Sequence, residues 1–239
     1  MPTDTALDSP ERALPKLLIA DRILNPHARR FNDADWRPTE RDAVFIDAGH
    51  ARAWFSENRL KLRQLVDVAA ADGNDTTVCR MVEALWGGIL KSRAHRLFLP
   101  AHQLAVTAAG RVQNPAQALI YARTSWSLRA IGSIEQATLM AQQGRAIAIR
   151  TGDPYSESLA ASAEGRAYLA ANNPGAAIAA LEDSLQIVEQ LGESRSSALR
   201  LQHIAECHIA LVLQRHSEWV SALSVVAVAG LVLASSAPA

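Results

Sequence analysis

The stretch AYLAANNPGAAIAALEDSLQIVEQLGE, residues 167–193, decides the fold class. It contains two segments with helical apolar periodicity, separated by Asn172-Asn173-Pro174-Gly175, a group of residues that ends one helix and starts another. Small residues, mainly alanine, fill much of the second segment, where a protein core usually contains leucine. The stretch therefore predicts a helical hairpin whose two helices approach each other closely.

This hairpin pattern recurs along the chain. A shift of the sequence by about 40 residues superimposes similar residues, which is the signature of a repeat architecture. The superimposed pairs include Ser133 with Asn173, Ala137 with Ala177, and Gly152-Asp153 with Gly192-Glu193. Turn residues between apolar segments predict helices at about 76–91, 95–111, 116–131, 134–151, 155–171, 175–191, 195–215 and 218–235, after a helix from Gly49 to Ala71.

Small residues at fixed positions explain how such hairpins can stack. Each helix must pack on its own partner and on the next hairpin, and close backbone approach requires small side chains where the helices cross. Three helices share this spacing, with Ala137, Ala141 and Gly144 in the first, Ala177, Leu181 and Ser184 in the second, and Ala222, Val226 and Ala229 in the last. The pattern predicts an all-α, right-handed superhelical solenoid of antiparallel helical hairpins.

Composition and charge limit the function. Hydrophobic residues make up 49% of the 239 residues and aromatic residues only 5%, which favours a folded helical protein. The 24 basic residues balance the 24 acidic ones, so we expect no direct binding of nucleic acid. Cys79 and Cys207 are predicted to be free buried thiols, and the N-terminus does not resemble a secretory signal. We therefore expect a cytoplasmic protein.

The N-terminal part of the sequence differs from the repeats. A short amphipathic helix is predicted at residues 14–24 and ends at Asn25-Pro26. The charged, proline-interrupted residues 28–47 are predicted to be a linker, with Arg29 and Arg30 in solvent. We divide the chain into an N-terminal helix and linker at 1–48, interpreted as the remnant of a preceding module, a repeat domain at 49–235, and a tail at 236–239.

The repeated positions resemble the tetratricopeptide repeat (TPR). A small residue, Gly165, is followed three positions later by the aromatic Tyr168, and after the turn Ala177 precedes a large and a small residue. Lengthened units that end in Gly-Asp or Gly-Glu resemble the C-terminal repeats of AfsR/SARP-type bacterial transcriptional regulators, which contain an NB-ARC ATPase of the STAND class. Three further stretches also resemble this family: LLIADRILNPHARRF at 17–31, ARAWFSENRLKLRQLVDVAA at 51–70 and HQLAVTAAGRVQNPAQAL at 102–119.

The resemblance implies a protein-interaction and regulatory module, the sensor or oligomerisation part of such a regulator. The sequence contains no G-x-x-x-x-G-K-[ST] phosphate loop and no basic helix-turn-helix, so the family's ATPase and DNA-binding activities are not expected here. We expect a protein or peptide partner, with self-association as a second option, and neither a cofactor nor enzymatic activity. An alternative is a membrane-tethered TPR adaptor, anchored by the uncharged residues 219–239. The apolar part, residues 219–234, would extend about 24 Å as a helix, which favours a packed helix over a membrane span.

Two groups of residues are candidates for a site. Trp126 and Arg166 follow the small position on the first helix of their hairpins, a position that usually faces the concave groove, so we predict them as partner contacts. His203 and Cys207 lie one helical turn apart, but no third metal ligand accompanies them, and we predict no metal site and no catalytic residue.

Overall fold

The computed structural model describes residues 7–34, 36–37 and 44–235, with side chains described up to residue 217. These residues form helices and no strand, which confirms the all-α fold class. The helices are α1 (Pro10–Leu24), α2 (Ala48–Ala71), α3 (Asp75–Ser92), α4 (His95–Arg111), α5 (Gln117–Ala130), α6 (Ile134–Thr151), α7 (Pro154–Ala170), α8 (Pro174–Gln190) and α9 (Ser194–Ser235).

The helix boundaries from α3 to α8 lie within one residue of the predicted ones because strong local signals set them. Asp153 and Asn173 cap α7 and α8, and their side-chain oxygens accept hydrogen bonds from the backbone N–H groups of Ser156 and Ala176, both at 3.2 Å. A proline occupies the first turn of both helices, where no N–H is required. Gly152 ends α6 in the left-handed conformation, with φ +66°.

Each helix packs against the helices before and after it in sequence. The odd-numbered helices α3, α5, α7 and α9 also contact one another in succession, so we call this set the odd-helix row. The predicted small residues on the even-numbered helices are fully buried: Ala137 and Ala141 on α6, and Ala177 and Ser184 on α8. A Cβ atom on Gly165 would lie 2.9 Å from the carbonyl oxygen of Ala177 across the α7–α8 contact. Close helix packing through small residues is therefore confirmed.

The hydrophobic core is unevenly distributed along the chain. Among the described side chains, one large cluster joins α1, α2, α3, α4 and the start of α5, whereas α6 to α9 form small clusters. Phe55 of α2 and Phe98 of α4 lie at the centre of the large cluster, with ring centroids 5.6 Å apart. Gly88 of α3 makes room for them, since a Cβ there would lie 2.2 Å from the Phe55 ring. Helix α1 thus shares a core with α2, α3 and α4.

The C-terminal part of the chain departs from the prediction. A single helix, α9, runs from Ser194 to Ser235, and the predicted turn between residues 215 and 218 is wrong. Residues 214–218 contain neither glycine nor proline, so nothing in the backbone stops the helix there. The side chains of Ala222, Val226 and Ala229 lie outside the described part. Within the described residues, no helix has both the length and the apolar composition that a bilayer crossing requires.

Candidate interaction cleft

A cleft of about 530 Å³ opens along the odd-helix row, where α3, α5, α7 and α9 meet the segment that follows α1. Such a volume lies within the range of small-ligand sites. Its lining combines aromatic and charged side chains: Trp86, Trp126 and Tyr155, the cations Lys91, Arg123 and Arg195, and the carboxylate of Glu193. Three cations against one carboxylate give the lining an excess of positive charge. We call this feature the interaction cleft.

Arg123 of α5 is the most deeply buried charged residue of the cleft, with 6% of its surface exposed. Its guanidinium lies over the Trp86 ring, 5.4 Å from the centroid, and its Nη1 donates a hydrogen bond to the backbone carbonyl of Glu83 at 3.1 Å. Burial lowers the pKa of Arg123, and the nearby carboxylates of Glu83 and Asp21 oppose that shift. An arginine side chain stays charged in any such environment, so the cleft contains a buried positive charge.

Trp86, which lines the cleft, lies at the centre of an aromatic cluster. Its ring packs edge-on against Trp126 at 6.1 Å, against His102 at 5.9 Å and against His95 at 6.2 Å between centroids. Edge-to-face contacts at these distances are favourable and fix the ring orientations. His102 is fully buried, and neither of its ring nitrogens has a hydrogen-bond partner among the described residues. Burial lowers the pKa of His102 to about 3, so the ring is neutral.

The structure does not bring the two predicted partner contacts together in the cleft. Trp126 lines the cleft and is partly exposed. Arg166 is absent from the lining and forms an ion pair with Glu206 of α9. The Arg129 guanidinium lies 5.9 Å from the centroid of the Trp126 ring. Arg166 therefore joins α7 to α9, and Trp126 is the predicted residue that faces the cleft.

Residues 25–28, which follow α1, form one wall of the cleft. The prediction that the next two arginines are solvated is wrong for Arg30, whereas Arg29 is exposed. Arg30 is buried, with its side chain 7% exposed, and its Nη2 lies 2.6 Å from Asp21 Oδ2. The Arg29 guanidinium lies 5.4 Å from the centroid of the Tyr155 ring on α7. The Arg29 N–H also donates to Tyr155 Oη at 3.3 Å. The segment thus reaches across the odd-helix row as far as α7.

A carboxylate on α3 fixes this segment in place. Glu83 accepts hydrogen bonds from the backbone N–H of Phe31 at 2.8 Å and from the backbone N–H and the side-chain amide of Asn32 at 3.0 and 2.8 Å. The next residue, Asp33, pairs with Arg80 at 2.7 Å. We call residues 25–33 the N-terminal brace, because they tie α1 and α3 to α7.

His203 and Cys207 occupy different environments on α9. Cys207 is fully buried against Ala177 and Leu181 of α8, and burial raises the pKa of its thiol. Burial lowers the pKa of His203 to about 4, and its Nδ1 has no hydrogen-bond partner in the described part. Across residues 7–34, 36–37 and 44–217, no three His, Cys, Asp or Glu side chains lie close enough to hold a metal ion.

The residue at the base of the cleft, Arg123, was not predicted. Its sequence neighbours Leu119, Ile120 and Ala122 are buried. These apolar neighbours indicate that this part of α5 packs on both sides, but arginine side chains are usually exposed, so the sequence alone does not indicate that Arg123 is buried. A search of protein-family models and of curated proteins finds no match to this chain.

Proposed function

We propose that this chain is a protein-interaction module built as a TPR-like solenoid of helical hairpins with a period of about 40 residues. The arrangement of α5 to α9 supports this proposal, because consecutive hairpins pack through small residues and the odd-numbered helices contact one another in order. The left-handed glycines Gly152 and Gly192 end α6 and follow α8 at equivalent places in consecutive units. In such stacks, the side chains of one helix row form an extended binding surface.

The interaction cleft is the observation that carries the functional proposal. It lies on the odd-helix row and is lined by tryptophan, tyrosine and arginine, the residue types that contribute most to binding energy at protein interfaces. Trp126 is partly exposed at its wall, so it can contact a partner without unfolding of the core. A peptide segment placed along this surface would be held by shape and by a few anchors, without any change in covalent bonds.

The biological role that we propose follows from the family resemblance. A module of this kind would act as the sensor or oligomerisation part of a bacterial transcriptional regulator of the AfsR/SARP type, with the ATPase and DNA-binding functions located elsewhere. Binding at the odd-helix row would then change how the module packs against the rest of such a regulator. In this role the chain would be regulatory and would catalyse no reaction.

A peptide-display selection on the purified chain tests the interaction proposal. We expect selected peptides to bind with micromolar affinity, and Trp126→Ala to weaken binding about tenfold or more, as truncation of an aromatic anchor does. Ile149→Ala is the matched control, because Ile149 is an exposed apolar residue on α6, outside the cleft. Fluorescence anisotropy gives the affinities, and circular dichroism checks that each variant is folded. Selected peptides that bind wild type and Trp126→Ala equally would refute the proposal.

A further inference from the structure

Arg123 has hydrogen-bonding capacity that the protein does not use. Its Nη1 bonds to one backbone carbonyl, and its Nε is buried without a hydrogen-bond partner among the described residues. A guanidinium has five N–H donors, and a buried donor without an acceptor destabilises the folded protein. A purely structural arginine in this position would be expected to place its donors on the nearest carboxylates.

Two buried carboxylates lie near Arg123, yet other groups bind them. Asp21 accepts from Arg30 Nε at 2.7 Å and from the Gly87 N–H at 3.1 Å. Glu83 accepts three hydrogen bonds from Phe31 and Asn32 of the N-terminal brace. The carboxylates therefore lower the electrostatic cost of burying Arg123 without binding its donors. This arrangement leaves the guanidinium charged, oriented by Trp86 and able to bind an acceptor in the cleft.

The rest of the lining suits an anion attached to an apolar group. Lys91 and Arg195 are exposed cations of the lining, and Glu193 is the carboxylate that opposes them. The rings of Trp126 and Tyr155 and the side chains of Leu159 and Leu199 provide apolar surface. The cleft volume of about 530 Å³ is that of a site for a small molecule, and the N-terminal brace closes one side of it.

We propose that the interaction cleft is a binding site for a small organic anion, in which Arg123 binds a carboxylate or phosphate group and the aromatic walls hold the apolar body of the ligand. Arginine is well suited to this task because its planar fork matches both oxyanions. Lys91 and Arg195 attract the ligand to the mouth of the cleft. The site would make the module responsive to a small molecule whether or not it also binds a peptide.

NMR detection of the Arg123 side chain tests this proposal directly. The ¹⁵N-labelled full chain is titrated with phenyl phosphate, with phenylacetate and with phenylacetamide, a neutral analogue of nearly the same shape. The Arg123 Nε–Hε signal is assigned from its loss in Arg123→Lys. We expect saturable shifts of this signal with both anions and none with the amide. Inorganic phosphate alone should bind more weakly, because it lacks the apolar body.

Charge variants at the mouth of the cleft provide a test that does not disturb the buried arginine. In the double variant Lys91→Glu/Arg195→Glu we expect the affinity for phenyl phosphate to fall about fivefold or more relative to wild type. The difference in affinity between the two proteins should become smaller in high salt, because salt screens the charges. Arg150→Glu is the matched control, since Arg150 is an exposed arginine outside this cleft, on α6. An Arg123 signal that none of the small anions moves would overturn the proposal. Equal binding of phenylacetamide and phenylacetate would also overturn it. So would an Arg123 signal that shifts only when acidic peptides are added.

Discussion

Gly165 lies where α7 crosses α8, and a single methyl group at this residue tests how closely the helices pack. An added Cβ would lie 2.7 Å from Leu181 Cγ and 2.9 Å from the Ala177 carbonyl oxygen. Overpacking costs about 1–3 kcal/mol, and the higher helix propensity of alanine returns up to about 1 kcal/mol. Because a backbone atom cannot move aside as a side chain can, we expect Gly165→Ala to destabilise the protein by about 1–2 kcal/mol in urea unfolding.

The control for this variant is Gly175→Ala, in the first turn of α8. Apart from its chain neighbours and the adjacent helix backbone, no atom lies within 4 Å of a Cβ built on Gly175, and this glycine has an ordinary backbone conformation. The same substitution there gains helix propensity without a clash, so we expect a neutral or slightly stabilising effect. Equal stability of the two variants would contradict the close crossing of α7 and α8.

His102 should make the stability depend on pH. Its pKa is lowered from 6.5 to about 3 by burial, so below pH 6.5 the unfolded state binds a proton that the folded state does not. The stability that the neutral ring contributes is complete above pH 6.5 and decreases as the pH falls from 6.5 towards 3. Between pH 7 and pH 5 the free energy of unfolding should fall by about 2 kcal/mol from this residue alone.

The comparison with His102→Leu isolates this contribution. Leucine has a similar volume and no titratable group, so other residues, including His203 with its lowered pKa, contribute equally to both proteins. We expect urea unfolding at pH 7 and pH 5 to show a smaller loss of stability in the variant, by about 2 kcal/mol. Parallel pH profiles of the two proteins would mean that His102 takes up a proton over the same pH range in the folded and the unfolded state.

At the residue level, periodicity predicts which side chains are small and buried but not which charges are buried. Ala177 and Gly165 could be predicted because helix crossing imposes a spacing on the sequence. Arg30 and Arg123 could not, because their burial depends on Asp21 and Glu83, which the fold brings close to them from other elements. Leu60 on α2 shows that an apolar side chain in a helix need not be buried, since it is 63% exposed.

Among the elements, the N-terminal brace donates three hydrogen bonds to the carboxylate of Glu83. Glu83→Gln keeps the shape of the side chain but replaces one acceptor oxygen with an NH₂ group. At least one N–H of Phe31 or Asn32 then loses its acceptor, at a cost of about 1–3 kcal/mol. We expect the brace to open more often, and trypsin to cleave after Arg29 and Arg30 faster than in wild type.

The control variant is Glu135→Gln. Glu135 is an exposed glutamate at the start of α6. This variant removes the same charge without touching the brace, so its cleavage pattern should match that of wild type. Mass spectrometry of timed digests identifies the first bond cleaved. If Glu83→Gln leaves cleavage after residues 29 and 30 unchanged, the hydrogen bonds from Glu83 do not hold the brace closed.

The elements themselves were predictable wherever a local signal marks the start of a helix. Asn74, Asp153 and Asn173 cap α3, α7 and α8 where turn residues had predicted new helices. Two features escaped prediction for physical reasons. The polar residues 214–218 are compatible with a helix, so α9 continues through them. The N-terminal brace is attached through the hydrogen bond from Phe31 to Glu83, which joins residues more than 50 positions apart in sequence.

For the molecule as a whole, the unequal cores predict unequal stability. Helices α1 to α4 share one large hydrophobic cluster, but α8 and α9 are joined by a small cluster around Leu181. In a stack in which each unit contacts only its neighbours, local unfolding can begin where the interfaces are weakest. We therefore expect hydrogen exchange to show stronger protection in α3 and α4 than in α8.

A pair of leucine truncations distinguishes this behaviour from cooperative unfolding of the whole chain. Leu181 of α8 and Leu85 of α3 are both fully buried, and each change to alanine removes about 2–5 kcal/mol of local packing. Leu181→Ala should speed exchange in α7 to α9 and leave α3 and α4 protected, because the large cluster does not depend on it. Leu85→Ala should lower protection in α1 to α5, where the large cluster lies. If Leu181→Ala instead lowers protection equally in every helix, the chain unfolds as one cooperative unit. The large and the small cluster would then not differ in local stability.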